Sequence, residues 1–167
     1  RVGETLSIEQ GAAAARLVLE DEALTRGADY AKGSRFLSGG GSSDLTSVRR
    51  LGNRALCALV NLLYGTRYSD LCYGFNAFWR RSLQQVRVDC DGFEVESLLS
   101  VRAAKLGLAV TEVPSFERSR ISGKSNLNAG RDGWRVLRTI LHERFRVVEA
   151  VADPGVAVAA VPAQPPA

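Results

Sequence analysis

A strand-like run ending in Gly33-Ser34-Arg35 feeds a Gly/Ser loop, and the loop feeds a helix that opens on two arginines. No other stretch restricts the fold of this chain so strongly. Residues 28–36 read as the strand. Residues 37–46 read as a flexible loop, with Gly39, Gly40 and Gly41 in a row. The helix is expected over Ser47–Tyr64, with Val48, Leu51, Ala55, Ala58, Leu59, Leu62 and Leu63 as its apolar stripe and Gly65 as its stop. Arg50, Asn53, Arg54, Cys57 and Asn61 fall on another face. Arg49 and Arg50 put positive charge in the first turn, against the positive end of the helix dipole. An anion nearby resolves that conflict, because free N–H groups flanked by guanidinium groups form a phosphate cradle. The alternative is a solvated pair of arginines with Asp44 as partner.

The sequence of 167 residues is long enough for one domain, or a large part of one, with a real core. Its net charge is +4 and the basic residues are almost all arginine. Arginine binds phosphate through a planar fork, so this bias suits an anionic substrate or an anionic membrane surface. It suits an Arg- and Ala-rich composition equally. Cys57, Cys72 and Cys90 are odd in number and lack metal-ligand spacing, which reads as reduced thiols in a cytoplasmic setting. No apolar run reaches the length of a membrane span, and no signal peptide is visible.

Residues 1–27 look helical around 11–24, with Gly27 as a stop. After the long helix, residues 68–81 are dense in aromatics and read as a loop feeding a strand. A second helix is expected from Asp91 to about Leu106, opened by a capping box of Asp91 and Glu94, which leaves Glu96 as the freer acid. Residues 108–114 read as a strand closed by Pro114, residues 115–120 as another, and 121–128 as a polar loop. The last helix, about 129–148, has Trp134, Leu137, Ile140, Leu141 and Phe145 on its apolar side. Arg131, Arg135, Arg138, His142 and Arg146 line up on another. A basic amphipathic helix suits a membrane interface, and a surface helix docked on a core reads the same way. His142 falls on the wet face, away from chemistry. Residues 149–167 read as a disordered Ala/Pro tail.

Residues 28–146 resemble the C-terminal half of family 2 glycosyltransferases of the polyprenol-phosphate (dolichol-phosphate mannosyltransferase-like) kind. The resemblance rests on motifs in one order. These are Gly33-Ser34-Arg35; Arg49-Arg50 with Asn53; Asn61; Asp70 with Gly74-Phe75 and then Arg80-Arg81; Gly92-Phe93-Glu94-Val95-Glu96; Glu112-Val113-Pro114; and Arg120 through Leu127. It implies an α/β fold of the GT-A type, a mainly parallel sheet flanked by helices, with the nucleotide-binding N-terminal part missing or replaced. It also implies an enzyme that moves a sugar from a nucleotide-sugar donor to a polyprenyl-phosphate lipid acceptor. Carried over residue by residue, acceptor phosphate falls to Arg35, Arg49 and Arg50, and donor phosphates to Arg120, Gly123 and Ser125. The lysine common after that serine is Asn126 here.

The chemistry agrees with the transfer. A lipid phosphate is already an anionic nucleophile, so the site must mainly supply cations that hold two anions together. Asp70 is the acid expected to orient a sugar hydroxyl or to help at the acceptor, and a buried hydrogen-bonding Asp at a turn is the alternative. The family is expected to use magnesium or manganese, held by a D-x-D motif before the G-S-R strand. Residues 1–27 contain no such motif and do not resemble the family. Asp89-Cys90-Asp91 spells the pattern, but it precedes a helix that Asp91 is expected to cap. The organisation expected is therefore 1–27 as a non-matching segment, 28–148 as the acceptor-side region and 149–167 as a tail. A truncated transferase that is peripheral at the inner face of the membrane fits this reading. Its rivals are a non-catalytic membrane-surface module and a basic nucleic-acid module. The aromatics lie in apolar runs rather than among the arginines, which argues against nucleic acid as a partner.

Overall fold

A computed structural model describes residues 20–90, 92–118 and 128–148. After a helical stretch at 20–25 come β1 (Tyr30–Ser34), β2 (Gly41–Ser42), α1 (Ser47–Tyr64), β3 (Asn76–Phe78) and α2 (Arg80–Val86). Then follow α3 (Val95–Lys105), β4 (Val110–Pro114), β5 (Phe116–Glu117) and α4 (Ala129–Phe145). The protein is α/β. Its larger sheet has the order β3-β1-β4 and is mixed: β1 runs antiparallel to β3 and parallel to β4, from Tyr30↔Val110 to Ser34↔Pro114. A second sheet pairs β2 with β5 in parallel.

All five residues of β1 are buried, as a central strand covered on both faces requires. Alternation divides them. Ala31 packs with Leu24 and Ala28. Tyr30, Lys32 and Ser34 point the other way. The main core gathers Cys57 and Val60 of α1, Val101 of α3, and Val136 and Ile140 of α4 around Tyr68 and Leu71. Gly33 allows β1 to meet the loop before β3: a Cβ there would lie 2.9 Å from the Phe75 carbonyl oxygen, which accepts from the Gly33 N–H at 2.8 Å.

The helices form where periodicity placed them, but α1 is rotated from the expected face: Leu59 and Leu63 of the stripe pack against the core, and the rest of the stripe does not. Val48, Leu51 and Leu62 are exposed, Leu62 by 81%, whereas Asn53, Cys57 and Val60 face inward. Backbone satisfaction explains the rotation. Asn53 Oδ1 accepts from Leu71 N at 3.1 Å and Cys72 N at 3.0 Å, while Asn61 Oδ1 accepts from Tyr68 N at 2.8 Å. The loop after α1 has N–H groups that must be paired once buried, and the two asparagines supply acceptors that leucine cannot. In α4, Val136 and Ile140 are buried together with Asp132 and Glu143, while Trp134, Leu141 and Phe145 are exposed, Phe145 by 88%. Arg102 makes the burial of Glu143 possible, through Nε at 3.1 Å and Nη2 at 2.8 Å.

Three further expectations change. The 37–46 stretch is not simply a flexible loop, because β2 lies within it and pairs with β5. A short helix, α2, follows Trp79 where none was expected. The second expected helix starts later than Asp91: α3 begins at Val95, and Glu94, at its N-cap position, accepts from Arg135 Nη2 at 2.7 Å. Asp91 lies outside the described residues, as do 1–19 and the 149–167 tail.

Candidate functional site: a cleft where two helices begin

Helices α1 and α4 start side by side, and a cleft of about 240 Å³ lies between their first turns. Leu45, Val48, Leu56, Phe93 and Val136 make it apolar, and Gly52, Gly130 and Gly133 leave room by having no side chain. Arg35, Arg49, Asn53 and Asp132 are its polar lining. Both helices are capped by side chains: Thr46 Oγ1 accepts from Arg49 N at 3.3 Å, and Asn128 Oδ1 from Gly130 N at 3.1 Å and Arg131 N at 3.0 Å. Helix α1 has no acid in its first turn, so its dipole adds to the charge of Arg49 rather than cancelling it. Asn53 is buried, its oxygen is used twice by the loop, and its Nδ2 has no hydrogen-bond partner among the described residues. A buried amide donor left free beside an arginine is suited to an oxyanion.

Arg35 is a buried member of the cleft lining. Its Nε and Nη2 reach Asp70 at 2.7 and 3.0 Å, its Nη1 reaches Glu117 at 3.0 Å, and Nη2 also donates to the Cys72 carbonyl at 3.0 Å. Four of the five N–H donors of a guanidinium are thus engaged, and one on Nη1 is left over. Its guanidinium carbon also lies 4.7 Å from the centre of the Tyr73 ring. Burial alone would lower the proton affinity of this group, but Asp70 and Glu117 outweigh it and raise its pKa above the ordinary arginine value. Arg35 stays charged. Asp70 is buried, and it also receives the Arg35 backbone N–H at 3.2 Å, so its carboxylate is occupied by one residue. Glu112 organises the surrounding loop by accepting from Ser69 Oγ at 2.7 Å and from Asp70 N at 3.2 Å.

Arg35 and Arg49 therefore both line the cleft, and Asp70 is joined to it through Arg35. Arg50 is exposed and does not line the cleft. Arg120, Gly123 and Ser125 lie outside the described residues. Glu117 and Tyr73, which steady Arg35, carried no signal in the sequence, because a two-residue strand and a loop aromatic have no periodicity to read. Asn53 did carry one, as a poor helix former among arginines. Among the described residues there is no group of three or more His, Cys, Asp or Glu that could hold a metal ion. Asp89, the first acid of the D-x-D-like triplet, is bound by Arg102 at 2.8 Å and Arg146 at 2.7 Å.

No family model matches the chain. Curated relatives do. It is 33% identical over 111 residues to the glycosyltransferase AglJ of Haloferax volcanii, a match covering 66% of this chain and 36% of that protein. Its homologues are glycosyltransferases. A second from Haloferax volcanii, the low-salt glycan biosynthesis hexosyltransferase Agl6, is 31% identical over 60% of the chain and 22% of its own length. The polyprenol monophosphomannose synthase of Mycolicibacterium smegmatis is 29% identical over 64% of the chain and 42% of its own length. The chain thus matches less than half the length of each of these transferases.

Proposed function

We propose that this chain is the acceptor-side part of a family 2 glycosyltransferase that moves a sugar from a nucleotide-sugar to a polyprenyl phosphate. One observation carries the reading: a single cleft joins apolar walls to Arg49, Arg35 and the free amide of Asn53. That combination suits a ligand with a hydrocarbon end and a phosphate end. Arg49 and Asn53 hold the phosphate directly, Arg35 offers its remaining N–H, and Arg50 adds long-range positive charge. Asp70 acts through Arg35, holding its fork in place. Arg120, Gly123 and Ser125 are assigned to the donor phosphates on the resemblance alone. Among the relatives, the name polyprenol monophosphomannose synthase favours the lipid acceptor.

Cations at fixed positions are what the reaction needs from this half. An attacking phosphate oxygen and a departing nucleotide diphosphate are both anionic, and preorganised guanidinium and amide donors lower the cost of bringing them together. The test is calorimetric titration with farnesyl phosphate, farnesol and inorganic phosphate. Binding of the first well above the other two is expected. Equal binding of farnesol, or no binding of farnesyl phosphate, would remove the acceptor assignment.

Such a head group is taken at the bilayer surface, and the protein meets it as a peripheral partner on the cytoplasmic side. No described helix is long and apolar enough to cross a membrane. Three arginines of the basic α4 face are engaged in ion pairs: Arg131 with Asp132, Arg135 with Glu94, and Arg146 with Asp89. The attachment surface is better sought on α1, which carries Arg49, Arg50 and Arg54, no acid, and the exposed Val48, Leu51 and Leu62. The exposed Trp134 and Phe145 of α4 extend it.

A further inference from the structure

Lys32 is fully buried in the middle of β1, and its Nζ has no hydrogen-bond partner among the described residues. In the sheet register it stands between Asn76 of β3 and Glu112 of β4. The other groups whose charge acts on it come from every side: Asp70 and Cys72 from the loop after α1, Cys57 from α1, and Glu96 from α3. Two of these connect it to the cleft, because Cys72 lines it and Asp70 holds Arg35. A lysine placed there without a partner is an unusual choice for a core position, since an ammonium group buried without hydrogen bonds is costly.

The local charge explains what it could do. With Lys32 uncharged, one cation, Arg35, stands against the carboxylates of Asp70, Glu117 and Glu112. Burial lowers the proton affinity of the lysine and so favours that uncharged form, while Asp70 and Glu112 act in the opposite sense. An anion entering the cleft adds negative charge to the same side. That addition favours the ammonium form without moving any side chain.

We propose that the cleft binds its anion together with one proton from solvent, and that Lys32 is the group that accepts it. This rests on the anion-binding reading of the cleft given above. The sign follows from linkage. Where Lys32 is charged in both states, affinity is at its upper plateau. As pH rises above the pKa of the free state, affinity falls, and it levels off above the pKa of the bound state.

Sulfate is the probe, because its charge does not change over the range. Calorimetry of the full chain between about pH 6 and pH 10, in buffer pairs of unlike ionisation heat, counts the proton directly. The wild type is expected to take up a proton on binding, with affinity falling by up to about tenfold per pH unit between the two pKa values. Lys32→Met keeps the volume and removes the amine; it should bind sulfate with neither pH dependence nor uptake. Glu96→Gln should keep both, which excludes the neighbouring carboxyl as the acceptor. Binding without uptake in the wild type, or uptake that survives in Lys32→Met, overturns the inference and leaves the cleft assignment standing. No sulfate binding at any pH overturns both. The wild-type proton count stands alone if Lys32→Met does not fold.

Discussion

Arg35 donates to Asp70 three times, from Nε at 2.7 Å, Nη2 at 3.0 Å and the backbone N at 3.2 Å, and both residues are buried. One carboxylate thereby fixes the end of β1, the direction of the guanidinium fork and the start of the loop that follows α1. The pair is a structural element of the site before it is a chemical one, because neither group can leave without stranding the other.

Breaking it from one side should be expensive. Asp70→Asn leaves a buried guanidinium with only the partly exposed Glu117 as counter-charge, at a cost of up to about 3–5 kcal/mol. Urea denaturation should show this as a lower midpoint with an unchanged slope. The paired replacement Arg35→Met with Asp70→Leu should recover much of the loss, since apolar groups of similar volume need no partner. A fully stable Asp70→Asn would mean that Glu117 and the Cys72 carbonyl suffice to hold Arg35.

The two arginines that open α1 should separate in function. Arg49 lines the cleft and Arg50 does not. A charge-assisted hydrogen bond contributes about 1.5–3 kcal/mol, so Arg49→Gln should weaken farnesyl phosphate binding by roughly ten- to a hundredfold. Arg50→Gln should change it by about twofold or less, in keeping with a screened charge at the surface. Equal losses would place both guanidinium groups on the phosphate.

How much of this was legible depended on the kind of interaction. Helices α1, α3 and α4 and strands β1 and β4 announced themselves through periodicity and their Gly or Pro stops. The inward face of α1 was legible only in part: Leu59 and Leu63 pack on the core as their spacing implies, but hydrophobicity alone favours Leu51 and Leu62 over Asn53. The deciding interaction is the hydrogen bonding of Asn53 and Asn61 to a loop more than five residues on, and no local pattern encodes that. Arg35 was found through a motif, yet its partners Glu117 and Tyr73 lie 82 and 38 positions away and belong to short elements. The lysine in β1 passed unnoticed because one polar residue in a strand is ordinary when the strand is assumed to have a wet face. Only the burial of both faces makes Lys32 an anomaly.

Thiol chemistry offers an independent view of the cleft. Burial pushes the Cys57 thiol up to about 12 and the Cys72 thiol to about 11, with Asp70 adding to each shift. The thiolate is the reactive form, so both should alkylate slowly at pH 8 in the folded protein and rapidly in urea. Cys72 borders the cleft and is only partly buried. Farnesyl phosphate should therefore slow its labelling further while leaving Cys90 unaffected. Peptide mass analysis after timed iodoacetamide treatment resolves the three sites.

Acid stability should depend on Asp89. Burial, the largest single influence on this carboxyl, raises its pKa, but Arg146 and Arg102 together outweigh it and bring it below the usual aspartate value. A depressed folded-state pKa means the pair stabilises above the unfolded-state value of about 3.9 and is lost as pH falls through the folded-state value. Asp89→Asn should therefore lower stability at neutral pH and flatten the stability profile below about pH 4 relative to the wild type. The side chain is 43% exposed, so screening by salt should reduce the difference. A parallel offset at every pH would show that Asp89 contributes by hydrogen bonding alone.

The exposed apolar side of α1 gives the sharpest separation between stability and function. Leu51 and Leu62 are 71% and 81% exposed, so replacing both with serine should shift the unfolding free energy by no more than about 0.5 kcal/mol each. If this face meets a bilayer, each leucine that leaves water contributes up to about 1.5–3 kcal/mol to attachment. The pair should then account for a loss of tenfold or more in binding to anionic liposomes. Arg50 and Arg54 on the same helix add about 1 kcal/mol apiece at an anionic leaflet, and that part should fade with salt while the leucine part persists. The α4 arginines give a control. Arg131, Arg135 and Arg146 are already ion-paired, so their replacement by glutamine should weaken liposome binding less than the two serines do. Loss of binding confined to the α4 variants, with Leu51→Ser and Leu62→Ser unchanged, would move the membrane face to α4 and leave the leucines as ordinary surface.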